Sequence, residues 1–213
     1  MTEISGVRAI ETMKTLPMWE WVTDKNIKSY AQARPMIGDF FEEATRVLFA
    51  CDRLKTEAGA LCPDVQFRNG MIGEVKAIGR SRSCLIYSHR LRKYEKAELV
   101  DRLVYLFWLH RIEAKKVRSL SSLREQLAST VSMCLVIPAQ RVHDVCWRRP
   151  ERWENYSRYE GRSNWAKKPA RRLGAGILRG WEQDAVIKLQ VCLDVYGVRT
   201  GMVQIRGAVG RVL

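Results

Sequence analysis

The chain holds 213 residues, and its 37 lysines and arginines against 23 aspartates and glutamates leave a formal charge of +14. With 46% apolar residues it is long enough to bury a real core, which excludes disorder throughout. No run of about 18 apolar residues is present, which excludes a spanning helix. A pI of about 9.8 points to an anionic partner.

Residues 1–36 read as an N-terminal helical extension: a short helix around Gly6–Lys14, a break at Pro17, and a second short piece ending near Pro35. Met1–Ser5 lacks a basic stretch followed by an apolar one, which predicts no secretory leader. Ile37, Phe40, Phe41, Ala44, Val47, Leu48 and Cys51 recur at helical spacing and predict a helix over 37–51. Residues 61–78 carry a strand pattern interrupted by Asn69-Gly70, a hairpin signal. Leu91–Lys116 reads as one long helix whose apolar face runs from Leu99 to Leu109. Ser119, Ser121 or Ser122 is placed to cap a further helix through Ala128. Val131–Ile137, stopped by Pro138, reads as a buried strand. Residues 141–180 read mostly as helix and loop, and Ala185–Tyr196 and Val198–Arg206 as a closing hairpin about Gly197. The sum is an α/β fold, a central mixed sheet flanked by helices with a basic C-terminal elaboration. The expected divisions are 1–36, a core over 37–138, and 139–213 completing the same domain.

Six cysteines, at 51, 62, 84, 134, 146 and 192, form no CxxC pair and have apolar neighbours. That pattern predicts free buried thiols of a reduced, cytoplasmic protein, and argues against a zinc ribbon or iron–sulfur cluster. The positive charge is concentrated in two stretches. One runs through Arg80, Arg82, Arg90, Arg92, Lys93 and Lys96. The other extends from Arg141 to Arg179 and is interleaved with Trp147, Trp153, Tyr156, Tyr159, Trp165 and Trp181. Arginine forks grip phosphates and base edges, and aromatic rings stack on bases. Arg80, Arg82, Arg90, Arg162, Lys167, Lys168, Arg171 and Arg172 are therefore the expected nucleic-acid contacts. The plainer reading is a solvated basic surface whose tryptophans are core. A membrane surface is disfavoured, because the basic residues do not lie opposite one continuous apolar helical face.

The chemistry concentrates in Cys62–Ala77. Glu74 and Lys76 stand two apart on a strand, so both side chains leave the same face. A two-residue Asn69-Gly70 turn would set Asp64 opposite Val75, on the wrong face. A three-residue Arg68-Asn69-Gly70 loop, with Gly70 in the left-handed region, pairs Phe67 with Met71 and sets Asp64 across from Glu74. The apolar pattern selects the second register. One face then holds Val65, Phe67, Met71, Gly73 and Val75, and the other Asp64, Gln66, Glu74 and Lys76, with Ile72 alone out of place. Two carboxylates a strand apart suit Mg²⁺, which takes oxygen ligands and leaves its other positions to water and phosphate. An adjacent lysine can orient or help deprotonate a water and offset charge on a reacting phosphate.

These residues resemble the motifs of the PD-(D/E)XK nuclease superfamily, the restriction-endonuclease-like fold: Pro63-Asp64, then Glu74-Val75-Lys76. Ahead of them Gly38–Glu43 is similar to the family's first core helix, which often contributes a further glutamate near the metal. Spacing from the glycine favours Glu42, while the helical wheel brings Glu43 nearer the apolar boundary; both are carried. The resemblance covers roughly residues 37–137. It implies catalytic residues Asp64, Glu74, Lys76 and Glu42 or Glu43, and metal ligands Asp64, Glu74 and Glu42, with Mg²⁺ (Mn²⁺ as a substitute) as cofactor.

The implied function is a Mg²⁺-dependent DNA endonuclease, sequence-specific in the manner of a type II restriction enzyme. Double-stranded DNA is the implied partner and a homodimer across a palindrome the implied assembly. The alternatives are a structure-specific recombination, repair or phage nuclease of the junction-resolvase kind, and a nucleic-acid-binding protein without hydrolysis. His89, His110 and His143 receive no role, and the chain has no Walker A, Rossmann glycine or Ser-His-Asp pattern.

Overall fold

The computed structural model of the chain describes residues 30–54, 63–79, 83–113, 116–119, 122–123, 125–126, 131–156, 168–185, 187–192 and 204–206. The expected helix around Gly6–Lys14 and the Pro17 break lie outside them. Helix α1, Tyr30–Leu48, begins before the expected start and runs through Pro35 rather than breaking there. Pro35 is the sixth residue of α1 and has no N–H to give, so the helix passes through it with one backbone bond missing.

After α1 come β1 (Asp52–Arg53), β2 (Val65–Gln66), β3 (Ile72–Ile78) and β4 (Cys84–Tyr87). Helix α2 (Ser88–Lys96) and a 3-10 turn (Val100–Arg102) lead into β5 (Leu103–Leu109). Then follow β6 (Val131–Pro138), α3 (Ala139–Trp147), β7 (Glu154–Tyr156), β8 (Lys168–Leu173), α4 (Ala175–Asp184), β9 (Ile187–Cys192) and β10 (Gln204–Arg206). The main sheet has seven strands in the order β1-β2-β3-β5-β6-β9-β10. Among the described strands only β3 and β5 pair in parallel, so the sheet is mixed.

The single helix expected over 91–116 does not form. Glu98 takes a positive φ of 53°, the helix stops, and Leu103–Leu109 becomes a central strand. Six of its seven residues are fully buried, because both faces of the sheet are covered. A strand covered on both sides reads as an unbroken apolar run, and such a run also satisfies helical spacing. Near residue 119, Ser119 Oγ accepts the Ser122 N–H at 3.2 Å, and residues 122–123 and 125–126 are helical.

On one face α1 lays Ile37, Phe40, Phe41 and Leu48 against Val65, Val75, Leu106 and Trp108. Phe41 stacks on Trp108 at 5.1 Å, and the Trp108 indole N–H donates to Thr45 at 2.8 Å. The opposite face carries Ile72, Ile78, Tyr105, Phe107 and Leu135 under Leu91 and Tyr94 of α2, Val142 of α3 and Trp181 of α4. Ile72, out of place for a one-sided hairpin, belongs to this second core. Residues 141–180, expected as helix and loop, also supply β7 and β8, which form a separate three-stranded antiparallel sheet with β4, in the order β4-β8-β7. Cys51, Cys134 and Cys146 are buried free thiols, and Cys84 is a partly buried one. Among the described residues, no helix is long and apolar enough to cross a membrane.

Candidate active site

The hairpin takes the three-residue register. Val65 stands opposite Gly73 and Gln66 opposite Ile72; the Phe67 N–H donates to Met71 O at 2.8 Å, and the Gly70 N–H to Phe67 O at 2.9 Å. Gly70 has φ +82°, where a side chain is strained. Asn69 Oδ1 accepts the Met71 N–H at 3.0 Å and tightens the turn. Gly73 is required for a different reason. A Cβ there would lie 2.6 Å from Leu106 and 2.7 Å from Val65, in the packed core between β2 and β5.

This register carries Asp64 to the level of Glu74. The Asp64 N–H donates to Gly73 O at 2.8 Å, and its Oδ2 accepts the Val75 N–H at 2.6 Å. Glu74 is only 1% exposed and is held by three donors. Lys76 Nζ and Arg90 Nη1 (2.5 Å) share Oε1, and the Tyr94 hydroxyl meets Oε2 at 2.5 Å. Burial pushes the Glu74 carboxyl up, but Lys76, then Arg90, more than offset it and hold it below the usual range. Burial pulls Lys76 down, yet the carboxylates of Glu74 and Asp64 raise it above the ordinary lysine value. Asp64 goes the other way. Burial first, then the neighbouring Glu74 carboxylate, push it up to about 7, against the opposing pull of Lys76.

The two helix glutamates separate. Glu42 accepts from Arg53 at 2.7 Å; burial raises its carboxyl against the pull of Arg53, and Lys76 is also felt there. Its charge contributes in turn to the rise at Asp64. Glu43 is buried and pairs with Arg46 on its own helix at 2.5 Å. Glu42 is thus the α1 carboxylate electrostatically tied to Asp64.

Among the described residues, no three His, Cys, Asp or Glu side chains converge as a ready-made metal cage. Mg²⁺ asks for less, one or two carboxylates with water and phosphate completing the shell. Asp64 and Glu74 are hard oxygen donors, and burial, followed by their mutual repulsion with a further contribution from Glu42, raises Asp64 toward neutrality. A dication between them relieves that repulsion. The donor set therefore fits Mg²⁺, with the condition that Glu74 gives up part of its present hydrogen bonding.

The expected nucleic-acid contacts scatter. Arg80, Arg82, Arg162 and Lys167 lie outside the described residues, as does the side chain of Lys168, which opens β8. Arg90 sits on Glu74. Arg171 is 4% exposed, and its guanidinium donates to Val145 O and, at 2.7 Å, to Cys146 O near the C-terminus of α3; in this arrangement it faces no solvent. Its neighbour Arg172 points the other way and is exposed. Arg92, Arg148, Arg149 and Arg152 are exposed as well, with Arg92 5.7 Å over the Trp147 ring. Sequence reasoning missed Tyr94. Its signal was the spacing Arg90–Tyr94, one helical turn, which puts both side chains on the face of α2 that meets β3. His110 stacks on Phe41 at 5.2 Å, and His143 pairs with Glu95 at 3.0 Å. No protein-family model matches the chain, and no curated protein matches it.

Proposed function

We propose that this chain is a Mg²⁺-dependent DNA endonuclease with a restriction-endonuclease-like core, cutting double-stranded DNA at defined sequences. The observation that carries the reading is the convergence of Asp64, Glu74 and Lys76 on one patch, in the register that two-carboxylate metal chemistry requires. Asp64 and Glu74 would hold the ion, with Glu42 alongside. When bound, Mg²⁺ lowers the pKa of a ligated water and polarises the phosphate. Lys76 stays protonated at neutral pH because Glu74 and Asp64 raise it, so it acts as a fixed positive charge. It orients the attacking water and offsets the charge gathering on the phosphate, rather than taking the water's proton. Hydrolysis joins the water oxygen to phosphorus and breaks one P–O ester bond, the proton ending on the departing oxygen. The exposed arginines of α2, α3 and β8 are suited to backbone contacts, and two copies would face the half-sites of a palindrome.

The test is supercoiled plasmid incubated with and without Mg²⁺. The wild type should nick or linearise it only with the metal, and mapped ends should fall at one recurring sequence. Asp64→Ala and Lys76→Ala should abolish cutting while leaving salt-sensitive DNA binding largely intact. If both variants cut at the wild-type rate, the site assignment fails. Binding without any metal-dependent nicking would leave a non-catalytic binding protein.

A further inference from the structure

Glu74 is the carboxylate a metal needs most and the one least able to reach it. It is buried, and its two oxygens already accept from three donors. A carboxylate offers about four lone-pair directions, and an Mg²⁺ arriving with its waters needs a free direction and a path to it. Oε1 has both of its directions taken by Lys76 and Arg90, while Oε2 keeps one beside the buried Tyr94 hydroxyl; an ion that meets Oε1 therefore displaces a donor, and the three donors differ in their freedom to leave. Tyr94 is 1% exposed and belongs to the core under α2. Lys76 is 25% exposed, sits two residues away on the same strand, and its Nζ also donates to Val75 O at 3.2 Å. Arg90 reaches in from the first turn of α2, its side chain 35% exposed. Of the three it is the most exposed.

Charge leads to the same residue. Lys76 and Arg90 both sit on Glu74 Oε1, so a dication reaching that oxygen meets two cations already held on one carboxylate. An arginine that leaves for a phosphate removes one positive charge and gains a bidentate partner of its own.

We propose that Arg90 is an exchangeable counter-ion: it holds Glu74 closed in the free protein, moves onto a backbone phosphate when a duplex binds, and so opens Glu74 to the metal. DNA and metal binding are then positively coupled through one guanidinium, and by linkage each strengthens the other by the same factor. This rests on the reading of Asp64 and Glu74 as metal ligands. Arg90 is here a positioning residue, acting on the metal through Glu74.

The experiment measures Mn²⁺ affinity by electron paramagnetic resonance of the free ion, at about pH 8. A phosphorothioate-backbone duplex is present or absent, and the duplex's own Mn²⁺ uptake is subtracted. Wild type should bind Mn²⁺ about tenfold more tightly with the duplex, within the range of ordinary coupling energies. Arg90→Met should bind Mn²⁺ without the duplex about tenfold more tightly than wild type does, and gain little when the duplex is added. Arg90→Lys, which keeps the charge, should restore part of the coupling. Wild-type affinity that ignores the duplex overturns the exchange while leaving the metal site in place, and this arm needs no variant. A folded Arg90→Met no tighter than wild type overturns it equally. If wild type binds no Mn²⁺ under either condition, the metal-site reading fails and the exchange with it.

Discussion

Replacing Asp64 by asparagine removes a carboxyl that the fold holds in an unfavourable field while keeping an oxygen to accept the Val75 N–H, now 2.6 Å away. The folded-state pKa of about 7 lies above the ordinary 3.8, so the folded state holds the proton more tightly than the unfolded chain does. The stability this confers is complete below about pH 4 and is lost as pH rises through about 7. The shift of 7 − 3.8, about 3 units at 1.36 kcal/mol each, amounts to about 4 kcal/mol. A little over half of that, about 2–3 kcal/mol, falls between about pH 5 and about pH 8. Asparagine has no proton to lose, so Asp64→Asn should gain on wild type by that amount across the interval. For a chain of this size this is a rise of about 5–10 °C in relative Tm. The assay is urea denaturation of both proteins at several pH values, in chelator and in Mg²⁺. Saturating Mg²⁺ should flatten the wild-type pH dependence, since it replaces the proton as counter-charge. Parallel stability curves for the two proteins in chelator would refute the electrostatic account of the site.

Gly73→Ala should cost about 1–3 kcal/mol by overpacking between Val65 and Leu106, read as a lower urea midpoint. A neutral result would mean that the β2–β3–β5 contact is looser than its distances imply. Tyr94→Phe deletes the donor to Glu74 Oε2, leaving a buried charged acceptor short of one partner; a loss of about 1–3 kcal/mol is expected by the same denaturation. Arg171→Ala strips two carbonyls near the end of α3 of their donor and should destabilise by about 2 kcal/mol, with no change in the salt slope of DNA binding. Arg172→Ala should do the reverse, lowering the slope by about 1 if Arg172 meets a phosphate.

The hairpin was legible because a side-chain period of two leaves few ways to sort Val65, Phe67 and Val75 from Asp64, Glu74 and Lys76. Gly70 then accounted for the loop length. Ile72, the one residue the pattern could not place, was a sign that the second face is covered too. Leu103–Leu109 was misread for a related reason. A strand buried on both faces loses its alternation, and Leu99, Leu103, Leu106 and Leu109 then fit a helix. The aromatic residues of the run Val104-Tyr105-Leu106-Phe107-Trp108 were the better guide. The pairing of β4 with β8 joins residues more than about 80 positions apart, from Tyr87 with Ala170 to Cys84 with Leu173, a distance no local pattern reports. The same holds for Arg171 and Arg172. Composition marks both as basic surface, but neighbours on a strand face opposite ways, so only one of them remains outside. At the site, Glu42 stood only slightly ahead of Glu43 by motif and wheel until α1 docked. The engagement of Glu74 by Arg90 and Tyr94 depends on how α2 packs over β3, which the spacing alone suggests but does not establish.

The most direct measurement is anomalous diffraction from crystals soaked in Mn²⁺ at about pH 8. The account predicts one strong peak between the carboxylates of Asp64 and Glu74, absent in Asp64→Asn crystals. A protein that cuts DNA with Mn²⁺ yet shows its peak at other carboxylates would contradict it.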